Sequence, residues 1–215
     1  MSASHSGGCQ PEKPQPGQHR EHFCDSLESQ RLVKPGSQQK SLVTAGFSFV
    51  DLGESARLAL MLTPQAKGSF AEQVETALET LDALLNKAER RMTVTSQTVF
   101  LRDAQTRGEC EQLLSRYYGT EAPVTNFVLQ PPCSGAGLAL EAWAVAGPDV
   151  RIERFGPNAI SVGYEGVRWV HCGGVRSGPA QAGVYAQTTE VLDRMQKLLV
   201  QAGSGFDQVV RTWFY

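Results

Sequence analysis

Residues 73–101, QVETALETLDALLNKAERRMTVTSQTVFL, align without a gap on residues 187–215, QTTEVLDRMQKLLVQAGSGFDQVVRTWFY, at an offset of 114 positions. Gln73 and Gln187, Leu78 and Leu192, Leu84 and Leu198, Leu85 and Leu199, Ala88 and Ala202, Thr98 and Thr212, and Phe100 and Phe214 are identical pairs, and most other apolar positions stay apolar. Self-similarity at a fixed offset points to a folding unit written twice. Within the first copy Phe70, Val74, Leu78, Leu81, Leu85 and Ala88 recur every three or four residues, the stripe of an amphipathic helix. Tyr185, Leu192, Met195, Leu199 and Ala202 repeat that stripe in the second copy, where Gly203 offers a left-handed cap before a strand over QVVRTWFY.

Working outward from the first copy, LVTAGFSFVDL and ARLALML predict a hairpin upstream. Downstream, DAQTRGECEQLLSRYYG (103–119) predicts a helix with Asp103 as N-cap, Cys110, Leu113, Leu114 and Tyr117 on one face, and Gly119 as the stop. VTNFVLQ and LALEAWAV then predict two strands, with the turn-rich PPCSGAG between them as a hairpin connection. The expected fold class is therefore α+β, a complete β-β-α-β-α-β-β unit over about 41–146. GPDVRIERFGPN serves as a linker into a second unit, 147–215, in which AISVGY and VRWVHCGGV form a hairpin around YEGV, with Arg57 and Arg168 in comparable places. This second unit holds only a first half: its second helix and last two strands would fall beyond Tyr215, so the chain is expected to be truncated inside the repeat.

Bulk properties narrow the function. With 20 Lys and Arg against 22 Asp and Glu, and a net charge of −2, no basic block suggests a nucleic-acid or membrane surface. No apolar run approaches the roughly 18–20 residues that cross a bilayer, and the N-terminus has no secretory pattern, so a cytoplasmic protein is expected. Five cysteines without regular spacing argue against a disulfide framework. Residues 1–40, rich in Ser, Gly, Pro and Gln, are expected to be a mobile tail. Its His19, His22, Cys24 and Cys9 match none of the paired spacings of zinc sites.

The element order, the helix-plus-strand stretch QTTEVLDRMQKLLVQAGSGFDQVVRT and the closing VLQPPCSGAGLALEAWAV resemble the Rid family, also called YjgF or reactive-intermediate deaminase. Two such units in tandem are similar to the chorismatases. The resemblance implies a chorismate-mutase-like fold packed as a trimer or pseudo-trimer, a small carboxylated metabolite bound in clefts between units, and no cofactor or metal. Members that deaminate imines clamp the substrate carboxylate with an Arg in the segment matched here by APVTNFV, where Thr125 stands instead. Glu141 occupies the acidic place in LALEAWAV and is the candidate catalytic carboxylate. The general acid of the chorismatases would fall beyond Tyr215.

Thr125, Cys172, Gly173 and Arg176 are the candidate substrate-binding residues. WVHCGG (169–174) stands where the family has a small-residue segment whose backbone meets substrate, and glycines there admit close approach. His171 and Cys172 alternate faces, which disfavours a Cys–His nucleophile. If Thr125 leaves the carboxylate without its arginine, Arg176 or Arg168 could supply it. CSGAG lacks the strand-to-helix setting of a phosphate loop. Three readings follow from the resemblance: a chorismatase-like hydrolase, an enamine/imine deaminase, and a catalytically inactive binding or assembly subunit.

Overall fold

Two nine-residue strands open the described chain as an antiparallel hairpin, β1 (Val43–Asp51) and β2 (Ala56–Pro64). The computed structural model describes residues 42–87, 91–178 and 183–213. The tail 1–40 with its His and Cys donors, Ala88, and the last two aromatic residues lie outside the described residues. Strand β2 shows why it forms a sheet: Leu58, Leu60 and Leu62 are buried on one face, while Arg57, Ala59 and Met61 alternate onto the other.

Helix α1 (Phe70–Leu85) begins at a capping box. The Ser69 hydroxyl accepts from the Glu72 amide, and the Glu72 carboxylate accepts in return from the Ser69 amide at 2.6 Å, which satisfies two otherwise orphaned N–H groups. Its apolar stripe, Val74, Ala77, Leu78, Leu81, Leu84 and Leu85, is buried as the periodicity predicts. Strand β3 (Thr93–Leu101) follows, then helix α2 (Arg107–Tyr118), then β4 (Val124–Leu129) and β5 (Leu138–Ala146). Asp103 caps a short 3-10 turn, Ala104–Thr106, rather than α2 itself, and Gly119 stops α2 with a positive φ of 56°.

These five strands form one sheet in the order β1-β2-β5-β3-β4, with β3 and β4 parallel and the other pairs antiparallel. The predicted element order 41–146 is therefore present, but PPCSGAG is not a hairpin. Because β3 lies between β4 and β5, that connection steps over the end of β3, where the Arg102 amide donates to the Gly137 carbonyl. Helices α1 and α2 cover one face of the sheet, and Leu62, Leu81, Val99 and Leu140 lie at the centre of that layer.

A second, three-stranded sheet follows, β6 (Arg151–Arg154), β7 (Ala159–Tyr164) and β8 (Val167–Cys172), in that order. The β7–β8 hairpin turns on Glu165 and Gly166, both with positive φ, the two-residue geometry whose twist suits paired strands. The stretch predicted as a linker contributes β6, because Ile152 and its neighbours pair with β7. Helix α3 (Val184–Gln201) follows and packs on β8, with Gly203 at a φ of 66° closing its last turn as predicted. Over its described residues, 208–213, QVVRTWFY does not form the expected strand. Residues 209–213 carry no regular structure and pair with no strand among the described residues.

The chain is thus α+β, with β-β-α appearing twice in the same order. No helix among the described residues is long and apolar enough to cross a membrane. Leu81 has no exposed surface and faces the sheet from the middle of α1. Replacing it by Ala is expected to cost about 2–5 kcal/mol of stability in chemical denaturation, the range for a cavity in a packed core; a loss below about 1 kcal/mol would mean that this layer is loosely packed.

Candidate functional site

The face of the five-stranded sheet turned away from α1 and α2 carries a transverse row of side chains. Met61 on β2 pairs with Glu141 on β5, Glu141 with Thr98 on β3, and Thr98 with Asn126 on β4. Their neighbours Leu60, Leu140, Val99 and Phe127 pack toward the helices, so these four point the other way. Parity on β3 is reset by a bulge between Val94 and Ser96, which is why Val94 and Val99 can both face the helices. Glu141 is half-buried, and the exposed Trp143 indole, two residues along, donates to its carboxylate at 3.4 Å. Arg57 lies further along β2, four residues or about 13 Å from Met61 at strand spacing.

The second sheet closes over part of this outer face. Ile160 and Val162 are 1% exposed and share a face of their sheet with His171 and Trp169, their partners on β8. Val124 and Val145, on the outer face of the first sheet, are buried as well. After β8 the chain passes over β4. The Gly174 amide donates to Asn126 Oδ1 at 2.8 Å, and the Gly173 backbone exchanges bonds with Asn158, whose side chain donates to the Gly173 carbonyl at 2.8 Å. At the other end, the Ser55 hydroxyl donates to Glu165 at 2.9 Å, tying the turn of β7–β8 to the turn of β1–β2. Arg154 adds an ion pair with Glu121 at 2.8 Å.

His171 therefore faces the first sheet near Arg57. Its imidazole is held below the ordinary histidine range, first by burial and then by the Arg57 charge. Arg57 is half-buried and makes no ion pair among the described residues. The stretch His171–Gly174 thus runs from the Arg57 side of the outer face to Asn126, beside the row that holds Glu141 and Thr98. A cation, a carboxylate, an indole N–H and an amide on one sheet face are groups that can orient a small polar ligand.

The predicted site residues divide. Glu141 belongs to this face and Gly173 lies beside it, although Gly173 is packed: a Cβ there would come within 2.6 Å of Val124. Thr125 faces the helices instead. Its hydroxyl accepts from Gln97 at 2.9 Å and donates to the Pro123 carbonyl, in a chain that continues from Gln97 to the Tyr118 hydroxyl. Cys172 shares a face of β8 with Arg168, whose guanidinium caps the carbonyls of Ala202 and Gly203 at the end of α3, so Cys172 lies on the α3 side. Burial pushes its thiol up. Arg176 is exposed in the loop beyond Gly174, with its carbonyl accepting from Arg194 on α3. Arg168 is occupied as a cap and does not turn to this face. Asn126, Trp143 and the meeting of Arg57 with His171 were not anticipated.

Comparison with family models and with curated proteins returned no match. Among solved structures, the chain is similar to a Thermotoga maritima protein described as a candidate endoribonuclease, with 24% identity over 46% of this chain and 84% of that one and a TM-score of 0.41. It is also similar to yeast Mmf1, with 16% identity over 52% and 90% of the two chains and a TM-score of 0.40. A third is Escherichia coli TdcF with bound serine, with 18% identity over 46% and 86% and a TM-score of 0.39.

The environment of His171 has a pH consequence. Between the ordinary value of about 6.5 and its lowered folded value, the unfolded chain binds more protons than the folded one, so stability falls as pH drops through that window and is unaffected by this group above it. An NMR titration should give a His171 midpoint below about 6.5, and Arg57→Gln should move it upward. A midpoint at or above the ordinary value would contradict the buried, cation-facing placement.

Proposed function

We propose that the outer face of the first sheet, where the second sheet meets it, binds a small carboxylated metabolite, in a Rid/YjgF-superfamily protein of chorismatase-like tandem architecture. The observation that carries this reading is Arg57: a half-buried guanidinium between the two sheets with no carboxylate partner among the described residues. A half-buried arginine without an ion-pair partner leaves its guanidinium available to an anion, and its planar fork suits a carboxylate. His171, whose imidazole burial and the Arg57 charge hold below the ordinary histidine range, offers a hydrogen-bonding ring on the same side. In this reading Arg57 holds the carboxylate and Asn126 and Trp143 orient the ligand. Glu141 handles the proton of a hydrolytic step, as acid or base.

The tandem part of the proposal is supported by position. Arg57 and His171 stand 114 residues apart, the offset of the helix repeat, and the Arg57 charge acts on the His171 imidazole; Arg168, which the hairpin comparison set beside Arg57, is three residues short of that offset and turns to the α3 side instead. Leu58 and Cys172, the next pair at that offset, both turn to their own helix layer.

A second reading, a binding subunit without turnover, is favoured by the distance between Arg57 and Glu141 and by Thr125 being occupied internally. Calorimetry and a turnover assay with chorismate and with simple 2-oxo acids separate the two. Arg57→Gln should weaken binding by roughly 10- to 100-fold, the loss of a charge-assisted contact. Glu141→Gln should keep binding and abolish turnover if the site is hydrolytic. Binding that is indifferent to Arg57→Gln would refute the carboxylate assignment; binding without any turnover in the wild type would select the second reading.

A further inference from the structure

Helices α1 and α2 pack against each other, and a groove of about 590 Å³ runs between them on their exposed side. Leu78 and Leu113, each 6% exposed, form its floor, and Glu75, Glu79 and Asp82 line its α1 wall. Asp82 pairs with Arg91 at 2.9 Å, whereas Glu75 and Glu79 make no ion pair among the described residues. They stand four residues apart, a spacing at which like charges repel, and α1 holds four acids and no base to relieve them. Arg116, on the α2 wall, pairs with neither.

A second, independent feature lines the same groove. The Tyr117 hydroxyl oxygen has essentially no exposed surface and makes no hydrogen bond among the described residues; it lies beside Asp82 but outside hydrogen-bonding geometry. Burial first, and then the Asp82 charge, push this phenol up to about 12. A buried polar atom without a partner is unfavourable, and an incoming donor or acceptor removes that penalty. Unpaired carboxylates, an apolar floor and an orphaned hydroxyl together suit an extended segment that carries cations, apolar side chains and free backbone groups.

The chain itself holds such a segment. Residues 31–40, RLVKPGSQQK, carry Arg31, Lys34 and Lys40, no acid, and the apolar pair Leu32 and Val33. Residues 1–30 instead set Lys13 and Arg20 against Glu12, Glu21, Asp25 and Glu28, so positive charge is concentrated next to the described chain. The junction lies near the start of the groove's helix: the Leu42 carbonyl accepts from the Gln65 amide, four residues before the Ser69 cap of α1. From that cap to Asp82 the helix runs about 20 Å, and ten extended residues span roughly 33 Å. The segment therefore reaches every carboxylate of the wall.

We propose that residues 31–40 dock in the α1–α2 groove of their own chain, with Arg31 and Lys34 paired to the Glu75 and Glu79 wall and Leu32 and Val33 on the Leu78 and Leu113 floor. This inference does not depend on the ligand assigned to the outer face of the first sheet.

Trypsin digestion of the full chain, followed bond by bond by mass spectrometry, tests it. The Arg31–Leu32 bond lies within the docking segment, and Arg20–Glu21 lies outside it as an internal reference. Cleavage needs the released segment, so its rate reports the open fraction. Glu75→Gln combined with Glu79→Gln should speed cleavage at Arg31 roughly threefold to tenfold relative to Arg20, with circular dichroism unchanged. Raising sodium chloride from about 0.05 M to about 0.5 M should shift the wild type in the same direction. Protection at Arg31 should survive roughly hundredfold dilution, as a contact within one chain does. A ratio of Arg31 to Arg20 cleavage that is the same in wild type and variant would overturn the proposal. Protection that disappears on dilution would give the groove to the segment of another copy, and would overturn it as well.

Discussion

A β-sheet has two faces, and in the first unit α1 and α2 cover only one of them. The other carries Val124, Val145, Ala139 and Val128, all buried, and what buries part of that face is a second sheet formed by the following residues of the same chain. This sheet-on-sheet contact is the constraint on which the rest rests. Apolar surface left open there would cost about 25 cal/mol for each square ångström. Packing two pleated sheets face to face, however, leaves the polar positions in the alternation with few places to go. Strand parity sends Arg57 and His171 both toward the interface, where the Arg57 charge acts on the imidazole.

The fastening of the two sheets is local and polar. Gly173 sits so close to Val124 and Asn126 that any side chain would force the sheets apart, and Gly174 takes a φ of 64° to aim its amide at Asn126. The glycines that the sequence offers as a ligand-facing backbone are thus used first to bring two layers of protein together. Ser55 with Glu165, and Arg154 with Glu121, secure the turns at the margin. Such a joint is made by backbone and short side chains, which lose little conformational freedom on docking.

Patterns with a strong local cause could be read from the sequence. The stripes of α1 and α3, the stop at Gly119, the left-handed Gly203 and the hairpins at β1–β2 and β7–β8 depend on neighbours within a few residues, and all are present. What could not be read depends on partners far along the chain. PPCSGAG has the composition of a hairpin turn, yet β3 inserts between the strands it joins. QVVRTWFY has strand composition, but its counterpart β3 is held by β4 and β5 on its two sides, and 209–213 finds no such neighbours among the described residues. Strand β6 was missed because two Gly-Pro steps flank only four paired residues. For the site, Glu141 was placed through the family resemblance, and it stands half-buried on the outer face of the first sheet. Thr125 and Cys172 were placed through the family resemblance, and strand parity on β4 and β8 turns them to the helix-facing sides.

Native-state hydrogen exchange resolved by residue tests most directly whether the two sheets form one packed body. The account predicts that the amides of Ile160 and Val162 on β7 exchange as slowly as those of Leu140 and Ala142 on β5, since the inter-sheet contact makes the second sheet part of the body that the first sheet and its helices form. Fast exchange across β7 with β5 still protected would mean that the second sheet opens independently, and the proposed site where they meet would not exist as a built site.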